Sequence, residues 1–178
     1  MRVISGSLRG LKLDTLSGLD TRPTLDRVKE ALFSMLFGRT QDAVGLDLFA
    51  GSGALGIELL SRYGKECTFV DMSRAAIDVV SKNITKAHLE DRAFVECRSA
   101  QSFLHSVSKK FDIIFIDPPY ASGLYGEVLD IISERELLCP EGVIVCECNA
   151  DLELRHRGFD IIKDKTYGKV RLYVLEEA

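Results

Sequence analysis

From Val44 to Leu175 the chain alternates short apolar runs with amphipathic stretches. Val44 to Phe49, Cys67 to Val70, Ala93 to Glu96, Phe111 to Ile116 and Val143 to Cys148 have the length and composition of buried strands. The segments between them carry apolar residues three and four apart, which predicts helices. Ala54 to Tyr63 does so through Leu55, Leu59 and Leu60. Ser73 can cap a helix running to about Lys86 with Ala76, Ile77, Val80 and Ile84 inward, and further helices fall at about Ala100 to Val107 and Leu124 to Ile132. Gly158 to Lys163 and Val170 to Leu175 read as strands with no helix between them. A βα series that ends in a hairpin predicts an α/β, Rossmann-like fold. Its seven-stranded sheet is mostly parallel, with helices on both faces and an antiparallel strand near one edge. Phe111 to Ile116 is the most apolar run and is predicted to be central.

The first forty residues are patterned differently. Residues 2–13 read as a small hairpin or arm, with Val3, Ile4, Leu8, Leu11 and Leu13 as apolar contacts and turns at Gly6 and Gly10. This leaves Arg2, Arg9 and Lys12 to reach outward. After a loop, Arg22-Pro23-Thr24 leads into a helix from about Leu25 to Phe37. Pro23 suits the entry, Thr24 the N-cap, and Asp26 the positive helix start. Leu25, Val28, Leu32, Met35 and Leu36 form its buried stripe, Arg27, Lys29 and Glu30 lie off it, and Gly38 ends it. With no repeat or linker, the 178 residues predict one domain: residues 1–40 as an N-terminal extension on a core of 41–178.

Composition narrows the setting. An apolar fraction of 46% supports a sizeable core, no apolar run approaches a membrane span, and the N-terminus lacks the apolar core of a signal peptide. Cys146 and Cys148 share a strand face, while Cys67, Cys97 and Cys139 are scattered. His88, His105 and His156 show no ligand spacing either. The pattern predicts reduced structural thiols, no metal and a cytoplasmic protein. No oligomer signal appears, so a monomer is the default. The net charge of −4 is divided unevenly, +3 over residues 1–40 and −7 over the rest. A basic N-terminal face on an acidic body is compatible with RNA contact, and equally with ordinary solvated charge.

Two motifs carry chemistry. Gly51, Gly53 and Gly56 fit G-x-G-x-x-G between a predicted strand and helix, and Asp71 lies 20 positions past Gly51 at the end of the next apolar run. Such a turn lets the backbone approach a ligand, and the acid suits ribose hydroxyls. The second motif is Asp117-Pro118-Pro119-Tyr120, directly after Ile116. In an open α/β sheet it falls on the same ligand-binding edge. Successive prolines stiffen it, so the Asp117 carboxylate and the Pro118 carbonyl can be held in fixed directions. Two converging acceptors suit the amino group of an aromatic base. They would favour a pyramidal nitrogen whose lone pair points at an electrophilic methyl group. Tyr120 offers a face on which the base could stack.

This arrangement resembles the class I S-adenosylmethionine-dependent methyltransferases that act on amino groups, in which a D/N-P-P-Y/F/W tetrapeptide follows the fourth strand. Arg2-Val3-Ile4-Ser5-Gly6, Arg9-Gly10-Leu11-Lys12-Leu13, Arg22-Pro23-Thr24, Asp26-Arg27-Val28-Lys29-Glu30 and Leu32-Phe33 are similar to the N-terminal signature of the RsmD family of bacterial 16S rRNA (guanine-N2)-methyltransferases. Asp47-Leu48-Phe49-Ala50-Gly51-Ser52-Gly53-Ala54-Leu55-Gly56 and the Asp-Pro-Pro-Tyr motif fit the same family, and the likeness runs from Arg2 to the Tyr173 strand. The resemblance implies S-adenosyl-L-methionine as cofactor and 16S rRNA, the small ribosomal subunit or its assembly intermediate as partner. Asp47, Ala50, Gly51, Ser52 and Gly53 would line the methionine end of the cofactor, and Asp71 would bind its ribose, with Met72 beside it. Ser99-Ala100 sits where the adenine-contacting pair falls. The family often has Asp or Asn before that alanine, so Ser99 departs from the pattern and weight shifts to the Ala100 backbone N–H. Asp117, which also borders the cofactor, would hold a flipped guanine with Pro118, Pro119 and Tyr120. Arg2, Arg9, Lys12, Arg22 and Arg27 would meet RNA.

Other readings stay open on sequence. Asp-Pro-Pro-Tyr alone fits a DNA adenine-N6 or cytosine-N4 methyltransferase or a protein glutamine methyltransferase, although no insertion for reading DNA is evident. A nicotinamide-dependent oxidoreductase would leave Asp-Pro-Pro-Tyr without a role and lacks room for a second domain. A non-catalytic binding protein would retain the fold without turnover.

Overall fold

A computed structural model of the protein describes residues 1–16, 23–119, 123–156 and 158–178, and the side chains of residues 23–25 are outside the description. The elements are α1 (Pro23–Met35), β1 (Val44–Asp47), α2 (Ala54–Ser61), β2 (Glu66–Asp71), α3 (Arg74–Ala87) and β3 (Ala93–Cys97). They continue with α4 (Ala100–Ser106), β4 (Phe111–Ile116), α5 (Tyr125–Glu134), β5 (Leu138–Asn149), β6 (Phe159–Tyr167) and β7 (Val170–Glu177). The seven strands form one sheet in the order β3-β2-β1-β4-β5-β7-β6. The first five pair in parallel, and β7 runs antiparallel between β5 and β6. The strand order reverses between β1 and β4, which places a crevice at their carboxyl ends.

β4 occupies the middle of the sheet, and its alternating side chains enter different cores. Ile114 and Ile116 pack with Phe103 and Leu104 of α4 and Val128, Leu129 and Ile132 of α5. Ile113 and Phe115 pack with Val28, Leu32, Phe33 and Leu36, the Phe33 and Phe115 rings lying 5.7 Å apart. A third cluster joins Ile57 and Leu60 of α2, Val80 and Ile84 of α3 and Phe69 of β2 to Val3 and Leu13 of the N-terminal arm. Covering both faces this way explains why the parallel strands read as continuous apolar runs rather than alternating ones.

Several element ends differ from the expected ones. β5 begins at Leu138 rather than Val143, because Leu138 pairs with Phe111 before a register shift, and β6 continues to Tyr167. β1 stops at Asp47 and α2 at Ser61. α1 ends at Met35, leaving Phe37 exposed just before Gly38 turns at φ +82°. The larger correction is Lys29. Expected off the buried stripe, it is 4% exposed. Its amine lies 3.2 Å from the Glu58 carboxylate and donates to the Arg2 carbonyl at 2.5 Å. A buried ion pair, invisible to an apolar periodicity, draws this position inward.

The arm is tied to the core by the same glutamate. Glu58, on α2 and fully buried, accepts from the Ile4 and Ser5 N–H groups at 2.8 and 3.0 Å and from Arg62 at 2.9 Å. Only one β-bridge, Arg2 with Lys12, closes the arm as a hairpin among the described residues. Asn83 of α3 holds its far end. Its side-chain oxygen accepts from Asp14 N–H, and its amide donates to the carbonyls of Asp14 and Ser52.

Candidate active site

The glycine turn leaves β1 through left-handed backbone. Gly51 has φ +55° and Gly53, at the head of α2, φ +78°, conformations costly for any other residue. A Cβ built on Gly51 would meet nothing closer than a backbone oxygen at 4.0 Å, so the turn presents an open face. Gly56 has the opposite constraint, for its Cβ would stand 2.3 Å from the Phe69 ring, and the glycine lets α2 lie close on the sheet. The glycine turn and Asp71 are joined directly. Gly51 N–H donates to Asp71 at 2.9 Å, and the other Asp71 oxygen accepts from Ser73 N–H at 2.8 Å. A carboxylate has about four acceptor sites, so Asp71 keeps capacity for hydroxyl donors.

A cavity of about 170 Å³ sits at the crevice, lined in part by Asp47, Ala50, Gly51, Ser52, Asp117 and Glu147. Met1, Val28 and Lys29 close it from the arm and α1. Asp47 is 2% exposed, accepts one N–H from Gly56 at 3.0 Å and forms no ion pair among the described residues. Burial pushes its carboxyl up to about 7. Burial, and then the Glu147 and Asp47 charges, raise Asp117 well above the usual carboxylate range. Glu147 is likewise raised to about 7 by burial. Lys29 is lowered by burial against the opposing attraction of Glu58.

The remaining expected positions are dispersed around this centre. Met72 stands 78% exposed beyond β2. Ser99 is half-buried and caps α4, its hydroxyl accepting from Ser102 N–H at 3.2 Å, while Ala100 is buried. Pro118 is buried and Pro119 exposed, whereas Tyr120 lies outside the described residues. Arg2, Arg9, Lys12 and Arg27 are all exposed, Arg2 paired with Asp26 at 3.1 Å, and Arg22 falls outside the described residues. Glu147 and Lys29 were missed by sequence reasoning. Glu147 is hidden inside an apolar strand, and its one signal is a charge where β5 should be wholly apolar.

The glycine turn and the start of the Asp117 motif thus meet at the switch point of a doubly wound sheet, the architecture of a Rossmann-like methyltransferase. The chain belongs to the RsmD family: residues 1–176 match the family described as Conserved hypothetical protein 95. It is 42% identical to YlbH of Bacillus subtilis over 173 residues, 94% of each chain. It is 36% identical to ribosomal RNA small subunit methyltransferase D of Escherichia coli K12 over 180 residues, 99% of this chain and 90% of that one. The solved structure of the Escherichia coli yhhF protein superposes with a TM-score of 0.89 at 36% identity, covering 99% of this chain and 97% of the other. The protein is a methyltransferase.

Among the described residues no three His, Cys, Asp or Glu converge to hold a metal ion. No helix of the described residues is long and apolar enough to cross a membrane.

Proposed function

We propose that this protein uses S-adenosyl-L-methionine to methylate the exocyclic N2 amino group of a guanine in the 16S rRNA of the small ribosomal subunit or its assembly intermediate. One observation carries the reading: Asp117, followed by two prolines, lines the same cavity as the glycine turn and the buried Asp47, which has no ion-pair partner among the described residues. The family relationship supplies the rRNA.

The residues present fit the cofactor. Asp47, buried with no cationic partner among the described residues, suits its ammonium group. The open Gly51 face, with Ala50, Ser52 and Gly53, suits close backbone approach, and Asp71 has acceptor capacity for the ribose hydroxyls. Met72 offers an apolar surface and the Ala100 N–H a donor towards the adenine, the Ser99 hydroxyl being engaged as a helix cap. When bound, the cofactor supplies an electrophilic methyl group on a sulfonium.

The chain's own work is on the nucleophile. Guanine N2 is delocalised into the ring and weakly nucleophilic. Asp117 and the Pro118 carbonyl accept its hydrogens, favour a pyramidal nitrogen, and stabilise the developing positive charge, and Asp117 takes the released proton. The family motif assigns Pro119 and Tyr120 to holding the base. The guanine must be unstacked to enter, as for other enzymes that do chemistry on a base. Arg2, Arg9, Lys12, Arg22 and Arg27 contact RNA from the N-terminal extension.

The test is Asp117→Ala. Turnover on small subunits lacking the modification should be lost while S-adenosylmethionine still binds. Loss of cofactor binding in a folded variant would contradict the assignment.

A further inference from the structure

The carboxyl ends of three adjacent strands each bear an acid: Asp47 on β1, Asp117 just past β4 and Glu147 on β5. β4 and β5 are parallel with Ile116 opposite Cys146, so Asp117 and Glu147 are side by side one residue further on. Cys146 and Cys148 face the core under α4 and α5, and Val145 faces α1. Alternation along the strand therefore turns Glu147 to the α1 side, where it lines the cavity with Asp47 and Asp117. Among the described residues, no donor is bonded to its carboxylate. The bond at 2.5 Å from the Tyr125 hydroxyl goes to the Glu147 backbone carbonyl. Lys29, on the same cavity, is engaged with Glu58.

An acceptor-only group beside the amino-binding Asp117 has a consequence for base choice. Guanine places a ring N1–H donor next to its amino group. Adenine and cytosine place an acceptor nitrogen there. A second carboxylate can accept from guanine N1–H but confronts the lone pair of the other two.

We propose that Glu147 is a specificity-determining residue: it accepts the N1–H of the target base while Asp117 holds the neighbouring amino group, and so selects guanine over adenine and cytosine. This rests on the guanine reading above. Burial raises both neighbouring acids, Glu147 to about 7 and Asp117 in the same direction, so the selectivity strengthens as pH rises and the pair ionises.

The experiment compares guanine with 2-aminopurine at the modified position of small ribosomal subunits, once that position is mapped with wild type. 2-Aminopurine keeps the 2-amino group but offers an acceptor at N1. Transfer from tritiated S-adenosylmethionine is measured at about pH 8.5, above the Glu147 titration. Wild type should prefer guanine in kcat/KM by about 10- to 100-fold. Glu147→Gln, whose amide can donate to N1, should narrow that ratio by about tenfold or more with cofactor affinity unchanged. Glu147→Asp, a second variant that retains the charge, should keep the preference at lower kcat/KM. An unchanged guanine to 2-aminopurine ratio in Glu147→Gln, or equal loss on both bases, would overturn the inference while leaving the functional reading intact. Failure of wild type to methylate guanine would instead strike the functional reading and take the inference with it.

Discussion

At the scale of single residues, the site is built from acids whose burial is costly. Asp47 illustrates the cost. Its folded carboxyl is raised to about 7, so the folded chain holds a proton that the unfolded chain has released. Stability from this group is therefore fully present below the unfolded value and is lost as pH rises through about 7. We expect Asp47→Asn, which keeps the oxygen that accepts from Gly56, to stabilise the cofactor-free protein at about pH 8 by a few kcal/mol, since each tenfold change in proton affinity is worth about 1.4 kcal/mol. Denaturant titrations across pH would check it, and a variant no more stable than wild type at high pH would contradict the electrostatic reading. The same substitution should weaken cofactor binding. Asp71→Ala should also weaken the cofactor, by about tenfold or more through lost ribose hydrogen bonds, as read by calorimetry. Gly51, Asp71 and Asp117 stand out in the sequence because a glycine turn, an acid at a strand end and a proline-stiffened acid each have a local pattern, whereas Asp47 stands out only through the family resemblance. The structure groups Asp47, Gly51 and Asp117 around one cavity and bonds Asp71 to Gly51. Glu147 and Lys29 do not stand out in the sequence. Each sits in an element read for its apolar periodicity, and its place depends on neighbours far along the chain.

At the scale of elements, α2 ties the N-terminal arm and α1 to the sheet. It carries the glycine turn at its start and Glu58 in its interior, and Glu58 fastens the arm through Ile4 and Ser5 and α1 through Lys29. Removing one partner of such a buried pair leaves an uncompensated charge. Glu58→Ala should lower stability by about 3–5 kcal/mol, measured by urea unfolding. A loss under about 1 kcal/mol would show that the arm and α1 are held by apolar contact alone. The strands and helices were largely legible because a doubly wound sheet imposes short apolar runs between amphipathic ones. Their ends were not, as at β5, where pairing of Leu138 with Phe111 extends the strand through Pro140 and Gly142. No local pattern announces a partner strand.

At the scale of the whole molecule, charge is unevenly distributed. The N-terminal extension carries +3 and the remainder −7, and Arg9, Lys12 and Arg27 stand exposed on the extension. A basic face on an acidic body should bind RNA through few phosphate contacts, with a correspondingly shallow salt dependence. Charge reversal at Arg9 or Arg27 should weaken RNA binding several-fold and leave cofactor affinity unchanged. Comparable losses in both would argue against a separate RNA face. Arg2, already paired with Asp26, should contribute less than Arg9.

The central claim is the reaction and its substrate. Tritiated S-adenosylmethionine would be offered in parallel to small ribosomal subunits lacking the modification, naked 16S rRNA and a DNA duplex, followed by digestion and identification of the labelled nucleoside. Label in N2-methylguanosine of the rRNA is the predicted result. Label in methyladenine or methylcytosine of DNA, or no label in any substrate while the cofactor is seen to bind, would contradict it.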